Sequence, residues 1–402
     1  MSEVAAPAGG AAGPAEAGSG PLIFLVAGEP SGDQLGARLM EALRTETGGA
    51  VRFAGIGGEQ MTRRGLESLV PIDDMAVMGI FEVLPLVLKV FRRVRQAVAE
   101  VERLRPDAVV TIDAPSFTLE ISQRLKGRGI PLVHYVAPSV WAWKAWRAAH
   151  IAKFLDHLLA LLPFEPPYFE KHGLATTVVG HPAVERGAEP PDAAAFRARH
   201  GIAEDAVLLC LLPGSRKGEV KRHEPVMAGA LALLKQRIPE LHALAPTVPT
   251  VAEMVAERAA AWPVPATVLR APEEKHAAFA AARAAVATSG TVAVELAMAG
   301  LPAAVLYRVG PLTAIVGRAL LTIKFASIVN LLLDRPVQPE LLQERCTPDL
   351  VAETLTGLMT DEALRARYRE DCETAAALLG RGGDPPSRRA ARAILDVISG
   401  KA

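Results

Sequence analysis

The feature that most limits what this chain can fold into is a recurring unit: a short continuous apolar run, a turn of Gly, Pro, Ser or Asp, then apolar residues at helical spacing. Residues 22–27 (LIFLVA) run into Gly28-Glu29-Pro30-Ser31-Gly32-Asp33, after which Leu35, Leu39, Met40 and Leu43 fall on one helical face. A strand without polar alternation is buried on both faces and needs helices above and below it, so the unit reads as one βα step of a parallel sheet. The unit recurs at 51–54, 108–112, 132–136, 158–162 and 176–179. A charged, proline-bearing stretch at 185–191 separates these from a second series at 206–212, 241–245, 266–269, 284–287 and 303–307. Beyond Pro348 only helical periodicity remains. The fold class is therefore α/β, two doubly wound domains facing a central cleft, with a helical C-terminal end. The boundaries read as 21–185, 186–347 and 348–402. Residues 1–20 form an Ala/Gly/Pro-rich tail with too little apolar material to offset the entropy of ordering.

Composition narrows the function classes. Lys plus Arg and Asp plus Glu both number 44, so the formal net charge is zero, which argues against a bulk nucleic-acid binder. No apolar run reaches the ~18–20 residues of a spanning helix. The first twenty residues lack the basic start and apolar centre of a secretion signal. Cys210, Cys346 and Cys372 are odd in number and far apart, fit neither a disulfide framework nor a zinc cluster, and read as thiols of a reduced, cytosolic protein. Asp-x-Asp is absent, and no His, Asp or Glu group has metal-ligand spacing. A bound diphosphate would then be met by basic side chains and helix ends.

Several constellations sit where strands meet helices. Gly214-Ser215-Arg216 and Ser289-Gly290-Thr291 both occupy strand-to-helix turns, where free N–H groups and the helix dipole attract phosphate. Arg216 adds a bidentate donor. Each turn alone reads first as a plain tight turn with an N-cap; two in one domain shift the balance toward a nucleoside diphosphate. Glu295, one helical turn after Thr291 among Val292, Val294, Leu296 and Met298, is placed to accept from the vicinal hydroxyls of a ribose, or else is an ordinary helix glutamate. Asp113 ends the strand of Thr111-Ile112-Asp113-Ala114-Pro115. There it can take a proton from a substrate hydroxyl or cap the helix that follows, and sequence logic weighs the two equally.

Residues 121–155 contain no acid but include Arg124, Lys126, Arg128, Lys144, Arg147 and Lys153, a basic face suited to an anionic ligand or simply to water. The stretch 78–95 opens apolar and turns basic, with Met78, Ile80, Val83, Leu84 and Leu88 ahead of Arg92 and Arg93. Such a helix suits an anionic membrane surface or an acyl groove, with a core helix as the plain alternative. A second stretch, 308–333, has Arg318 and Lys324, no acid, and many Leu, Ile and Val. Trp141, Trp143 and Trp146 cluster as packing residues or as an aromatic wall for a sugar or acyl chain. His134 reads as a strand residue and His181 as a loop residue, and Gly-x-Ser-x-Gly is absent.

Taken together, Ala27-Gly28-Glu29-Pro30-Ser31-Gly32-Asp33, Met75-Ala76-Val77-Met78-Gly79, Ile112-Asp113-Ala114-Pro115, His134 to Trp143, Leu162-Pro163-Phe164-Glu165, Leu212-Pro213-Gly214-Ser215-Arg216, Ser289-Gly290-Thr291 with Glu295, Tyr307-Arg308 and Asn330-Leu331-Leu332 resemble the lipid-A-disaccharide synthases. The order is kept from about residue 22 to 348. The resemblance implies an inverting glycosyltransferase with two Rossmann-like domains (GT-B). It would move 2,3-diacylglucosamine from UDP to the 6-hydroxyl of 2,3-diacylglucosamine 1-phosphate (lipid X), giving a β-1,6 disaccharide 1-phosphate and UDP. It also implies Asp113 as general base, with Gly214, Ser215, Arg216, Ser289, Gly290, Thr291, Glu295 and Asn330 on the UDP side. Gly28, Glu29, Ser31, Gly32, Asp33, Ser139, Trp141, Tyr307 and Arg308 would line the acceptor side or the cleft. No cofactor and no metal are implied. The implied location is cytoplasmic, peripheral on an anionic inner-membrane surface, and a homodimer is left open. One departure is Ser116, where many members carry a second carboxylate. A UDP-sugar epimerase, which needs no acceptor, and a non-catalytic nucleotide-sugar binder are the competing readings of the same fold pattern.

Overall fold

The computed structural model describes residues 20–71, 83–185, 192–288, 290–310, 313–314 and 323–401, with 83–88 as backbone. Met78, Ile80, Ser289 and the tail up to residue 19 lie outside the described residues, as do the side chains of Val83, Leu84 and Leu88.

The first sheet is built from β1 (Leu22–Ala27), β2 (Arg52–Ile56), β3 (Ala108–Ile112), β4 (Leu132–Tyr135), β5 (His157–Ala160) and β6 (Ala175–Val178). All pair in parallel in the order β2-β1-β3-β4-β5-β6. Its helices are α1 (Pro30–Glu46), α2 (Glu59–Thr62), α3 (Val83–Leu104), α4 (Pro115–Leu125), α5 (Trp146–Ile151) and α6 (Pro166–Glu170). The second sheet joins β7 (Val207–Leu212), β8 (Leu241–Pro246), β9 (Ala266–Leu269), β10 (Ala284–Thr288), β11 (Ala303–Tyr307) and β12 (Glu340–Leu342), again all parallel, in the order β12-β11-β10-β7-β8-β9. Around it lie α7 (Ala193–Arg199), α8 (Lys217–Arg237), α9 (Ala252–Ala259), α10 (Glu274–Ala281), α11 (Thr291–Met298) and α12 (Ile328–Leu333). The apolar runs of the sequence become these strands because each is covered on both faces; Ile23, Phe24, Leu25 and Val26 are fully buried.

In an open parallel sheet, ligands bind beyond the carboxyl ends of the strands where the strand order reverses, because helices leave there to opposite faces and open a crevice. In the first sheet the reversal lies between β1 and β3, whose last residues Ala27 and Ile112 are register partners. In the second it lies between β7 and β10, where Leu212 faces Ala287. The turns that follow these four strands are Gly28–Glu29 leading into Pro30-Ser31 at the start of α1, Asp113–Ala114, Gly214–Arg216 and the segment ending at Gly290, so the candidate motifs converge on the two crevices.

Three helices follow: α13 (Pro348–Thr360), α14 (Glu362–Leu378) and α15 (Pro386–Ile398). The first packs on α8 and the second on α11. The last returns to the first sheet, where Ala390, Ala391 and Ile394 join Ile23, Leu25, Leu39 and Leu43 in one buried cluster. Arg388 and Arg392 there pair with Glu46 at the end of α1. A separate apolar cluster bridges the halves: Leu162 and Ala183 of the first pack with Val294 and Ala297 of the second and with Tyr368 and Cys372 of α14. Among the described residues no helix is long and apolar enough to cross a membrane.

Candidate active site

Asp113 sits in an uncommon turn. It and Ala114 have φ of 51° and 43°, the left-handed region, which costs a residue bearing a Cβ roughly 1–2 kcal/mol. Neighbouring contacts hold the turn there. Asp113 N–H donates to Tyr135 O at 2.9 Å, and the Thr118 hydroxyl donates to Asp113 O at 2.5 Å. The N-cap of α4 is Ala114, with no side-chain cap, so Asp113 is not spent on capping. Its Oδ2 instead accepts a hydrogen bond from Ser31 Oγ at 3.0 Å, which joins the turns after β1 and β3. Gly28 makes this approach feasible: a Cβ there would sit 2.8 Å from Ala114 Cβ and 3.2 Å from Phe117. A Cβ on Gly32 would likewise come within 3.1 Å of Ile112 O.

Glu29, the N-cap residue of α1, has a carboxyl raised above the usual range, first by partial burial and then by the Asp113 charge; Arg216 pulls it back. Arg216 lies in the turn between β7 and α8. Shifted carboxyls in a cleft are a mark of functional sites.

On the second side the two strand-end turns start their helices differently. Gly214 has φ of 127°, a conformation Gly reaches without penalty, and a Cβ would fall 2.5 Å from Glu219. Glu219 Oε2 accepts from Ser215 N at 3.0 Å and Arg216 N at 3.3 Å, so the start of α8 is closed by the chain's own carboxylate. Arg216 itself stays 60% exposed and touches Glu219 at 3.4 Å, a loose contact that leaves the guanidinium able to swing. At α11 the N-cap is Gly290, with no side-chain cap, ahead of Thr291. Glu295 follows on that helix, its Oε2 2.6 Å from Lys275 Nζ.

Other expected site residues have different duties. Asp33 is buried and accepts from Gly58 N, Gln60 N and Met61 N at 2.8–3.0 Å, so it caps α2 rather than facing the cleft. Asn330 is fully buried: its amide donates to Gln338 O and Glu340 Oε1, and its Oδ1 accepts from Val337 N and Gln338 N. Those four bonds use an amide's full hydrogen-bonding capacity, and through them Asn330 staples the turn between α12 and β12. Ser139 is exposed after β4, its carbonyl bonded to Ala142 N. Trp141 packs edge-on against Phe164 at 5.3 Å and donates to Glu165, as part of the inter-half cluster rather than a cleft wall. Trp143 and Trp146 stay 40% and 67% exposed, with Lys144 Nζ 4.1 Å from the Trp143 ring centre. Further along α3, Val94, Ala97 and Val101 are buried while Arg92 faces out and Arg93 donates to Gln96. Tyr307 stacks on His223 at 6.0 Å, and Arg308 N donates to His223 Nε2 at 2.9 Å. Burial lowers the His223 pKa and so keeps that acceptor neutral. Glu219, Lys275 and His223 were not singled out in the sequence, because a charged or polar helix residue looks the same before its partner is in place. Among the described residues no group of three His, Cys, Asp or Glu could hold a metal.

Two buried groups give the first half a testable pH response. Burial pushes the Glu165 carboxyl up to about 7, against the pull of hydrogen bonds from Leu162 N, Trp141 and Leu161 N. Burial also lowers His134, which bonds Thr111 Oγ1 through Nδ1, to about 3. The folded chain holds a proton on Glu165 between pH 4.5 and 7 that the unfolded chain has released. That stabilisation is full below 4.5 and lost as pH rises through 7. For His134 the sign is opposite: its contribution is present above 6.5 and lost as pH falls toward 3. The two oppose each other in between. Glu165→Gln removes one of them, so relative to the parent its stability is expected to fall by about 2 kcal/mol from pH 7 to pH 5 in urea unfolding. A difference that stays constant with pH would refute this.

Comparison with known proteins gives the family and the fold. A model of the family described as lipid-A-disaccharide synthetase matches residues 23–392. The chain is 51% identical over 380 residues to the lipid-A-disaccharide synthase of Rhodospirillum centenum, covering 94% of this chain and 95% of that protein. It is 50% identical to that of Paramagnetospirillum magneticum, covering 94% and 97%. Among solved structures, WaaG, a glycosyltransferase involved in lipopolysaccharide biosynthesis, superposes with a TM-score of 0.57 at 16% identity, covering 94% of this chain and 100% of that one. MurG of Acinetobacter baumannii superposes at 0.54 and 16%, covering 94% and 99%. These two carry the fold.

Proposed function

Because the chain belongs to the lipid-A-disaccharide synthetase family, and so is a glycosyltransferase of lipid A disaccharide synthesis, we propose that Asp113 is its general base and that the two crevices divide the substrates. The first half, residues 21–185, takes the acceptor, 2,3-diacylglucosamine 1-phosphate. The second, residues 186–347, takes UDP-2,3-diacylglucosamine. The observation that carries this is the Asp113 carboxylate held by Ser31 at the β1/β3 reversal.

Asp113 accepts the proton of the acceptor 6-hydroxyl as that oxygen attacks the anomeric carbon of the donor. The bond from that carbon to the UDP oxygen breaks, its electron pair leaves with UDP, and the centre inverts to the β-linkage. Charge grows on the leaving diphosphate, where Arg216 and the start of α11 at Gly290 and Thr291 stabilise it as it develops. Glu295 accepts from the ribose hydroxyls. With Ser116 exposed in place of a second carboxylate, Asp113 works without a relay.

The test is incubation with the UDP donor and the diacyl acceptor in the presence of EDTA, read by mass spectrometry. Acceptor-dependent disaccharide with UDP is expected. UDP released without acceptor would point instead to an epimerase-like reaction.

Acylated substrates also call for a lipid surface. The apolar-to-basic stretch at 78–95 supports peripheral association with an anionic membrane on the cytoplasmic side. Changing Leu84 and Leu88 to Ser is expected to reduce flotation with anionic vesicles several-fold, and undiminished flotation would remove the stretch as an anchor.

A further inference from the structure

Glu295 presents an electrostatic problem. Its helix begins at the Gly290–Thr291 turn, where the proposed function puts the donor diphosphate, so an anion is asked to bind close to a carboxylate. Two like charges brought into one partly buried site repel each other. The structure places a cation against Glu295: Lys275 Nζ lies 2.6 Å from Oε2, with the two side chains only 32% and 20% exposed. Lys275 comes from a different helix, in the first turn of α10. That is an unfavourable place for a cation, since the helix dipole presents its positive end there and favours acids. The pair with Glu295 is the interaction that offsets this.

We propose that Lys275 is a positioning residue of the donor site. It fixes the orientation of the Glu295 carboxylate and cancels its charge, so that Glu295 can accept from ribose hydroxyls beside an anionic diphosphate. The inference rests on the assignment of Glu295 to the ribose, and it adds that the acid works only as half of an ion pair. Sequence spacing does not connect the two residues, because the strand β10 and its turns lie between them.

A double-mutant cycle read by calorimetric UDP affinity tests this, with melting temperature as the check on folding. Lys275→Met is expected to weaken UDP binding about tenfold in the parent, within the range of coupling seen for contacting residues. In the Glu295→Gln background the same change is expected to cost less than about twofold, since the charge to be cancelled is gone. Lys275→Arg, which keeps the charge, should recover most of the affinity. An equal loss in both backgrounds would show that Lys275 meets the ligand itself, and no loss in the parent would reduce the pair to packing; either result overturns the proposal. The ribose assignment is tested apart from it with 2′,3′-dideoxy-UDP. Weaker binding of that analogue than of UDP by the parent chain is expected, and equal binding would overturn the assignment together with the role given to Lys275.

Discussion

Replacing Asp113 with Asn is expected to lower kcat about 10³-fold while leaving UDP affinity within about threefold of the parent, the range associated with loss of a general base. Asn keeps the size of the side chain and can still accept from Ser31 Oγ, so the turn after β3 keeps its contact. What disappears is the ability to take the proton from the attacking hydroxyl. The loss falls on kcat because that transfer strengthens only as the transition state forms. The turn itself carries left-handed residues at Asp113 and Ala114, held by Tyr135 O and Thr118, and these contacts do not involve the carboxylate. An unchanged kcat would remove Asp113 from the chemistry, and a melting temperature lowered in parallel with kcat would assign it a structural role.

Arg216→Met is expected to reduce kcat/KM by about 10²–10³-fold and to weaken UDP binding as well, as removal of one preorganised donor to a developing charge does elsewhere. The stem is kept, so packing changes little; the guanidinium is exposed and in loose contact with Glu219 before ligand binds. Arg216→Lys should recover only part of the loss, because an ammonium cannot make the paired, parallel bonds that a guanidinium offers a diphosphate. Steady-state kinetics with the UDP donor, together with UDP titration, separate the two components. If both parameters stay at the parent values, the diphosphate is held elsewhere.

The legible part of this molecule was the part encoded over a few neighbouring residues. Strand runs such as 22–27 and 303–307 coincide with the observed strands because a buried parallel strand needs unbroken apolar sequence. The short β12 escaped because Glu340–Leu342 has no such run, and Glu340 is spent on Ala326 N, Ser327 N and Asn330. Motifs at strand ends were also readable, since the turn after a parallel strand leads to the ligand face. Asp33 and Asn330 show the limit: polar residues in a matching motif, each consumed by backbone donors that come from chain segments elsewhere.

Sequence by itself therefore determined the two parallel sheets, the helical end, the strand-end turns and the absence of a charge excess, because periodicity, turn chemistry and composition are local or additive properties. Only the tertiary structure decided that Asp113 is held by Ser31 rather than capping a helix, that Glu219 closes α8 and that Lys275 meets Glu295. It also decided that the last helix crosses back onto the first sheet. The reason is physical: a hydrogen bond or ion pair is a relation between two places in space, and residues brought together by packing carry no mark of their partner in their own stretch of chain.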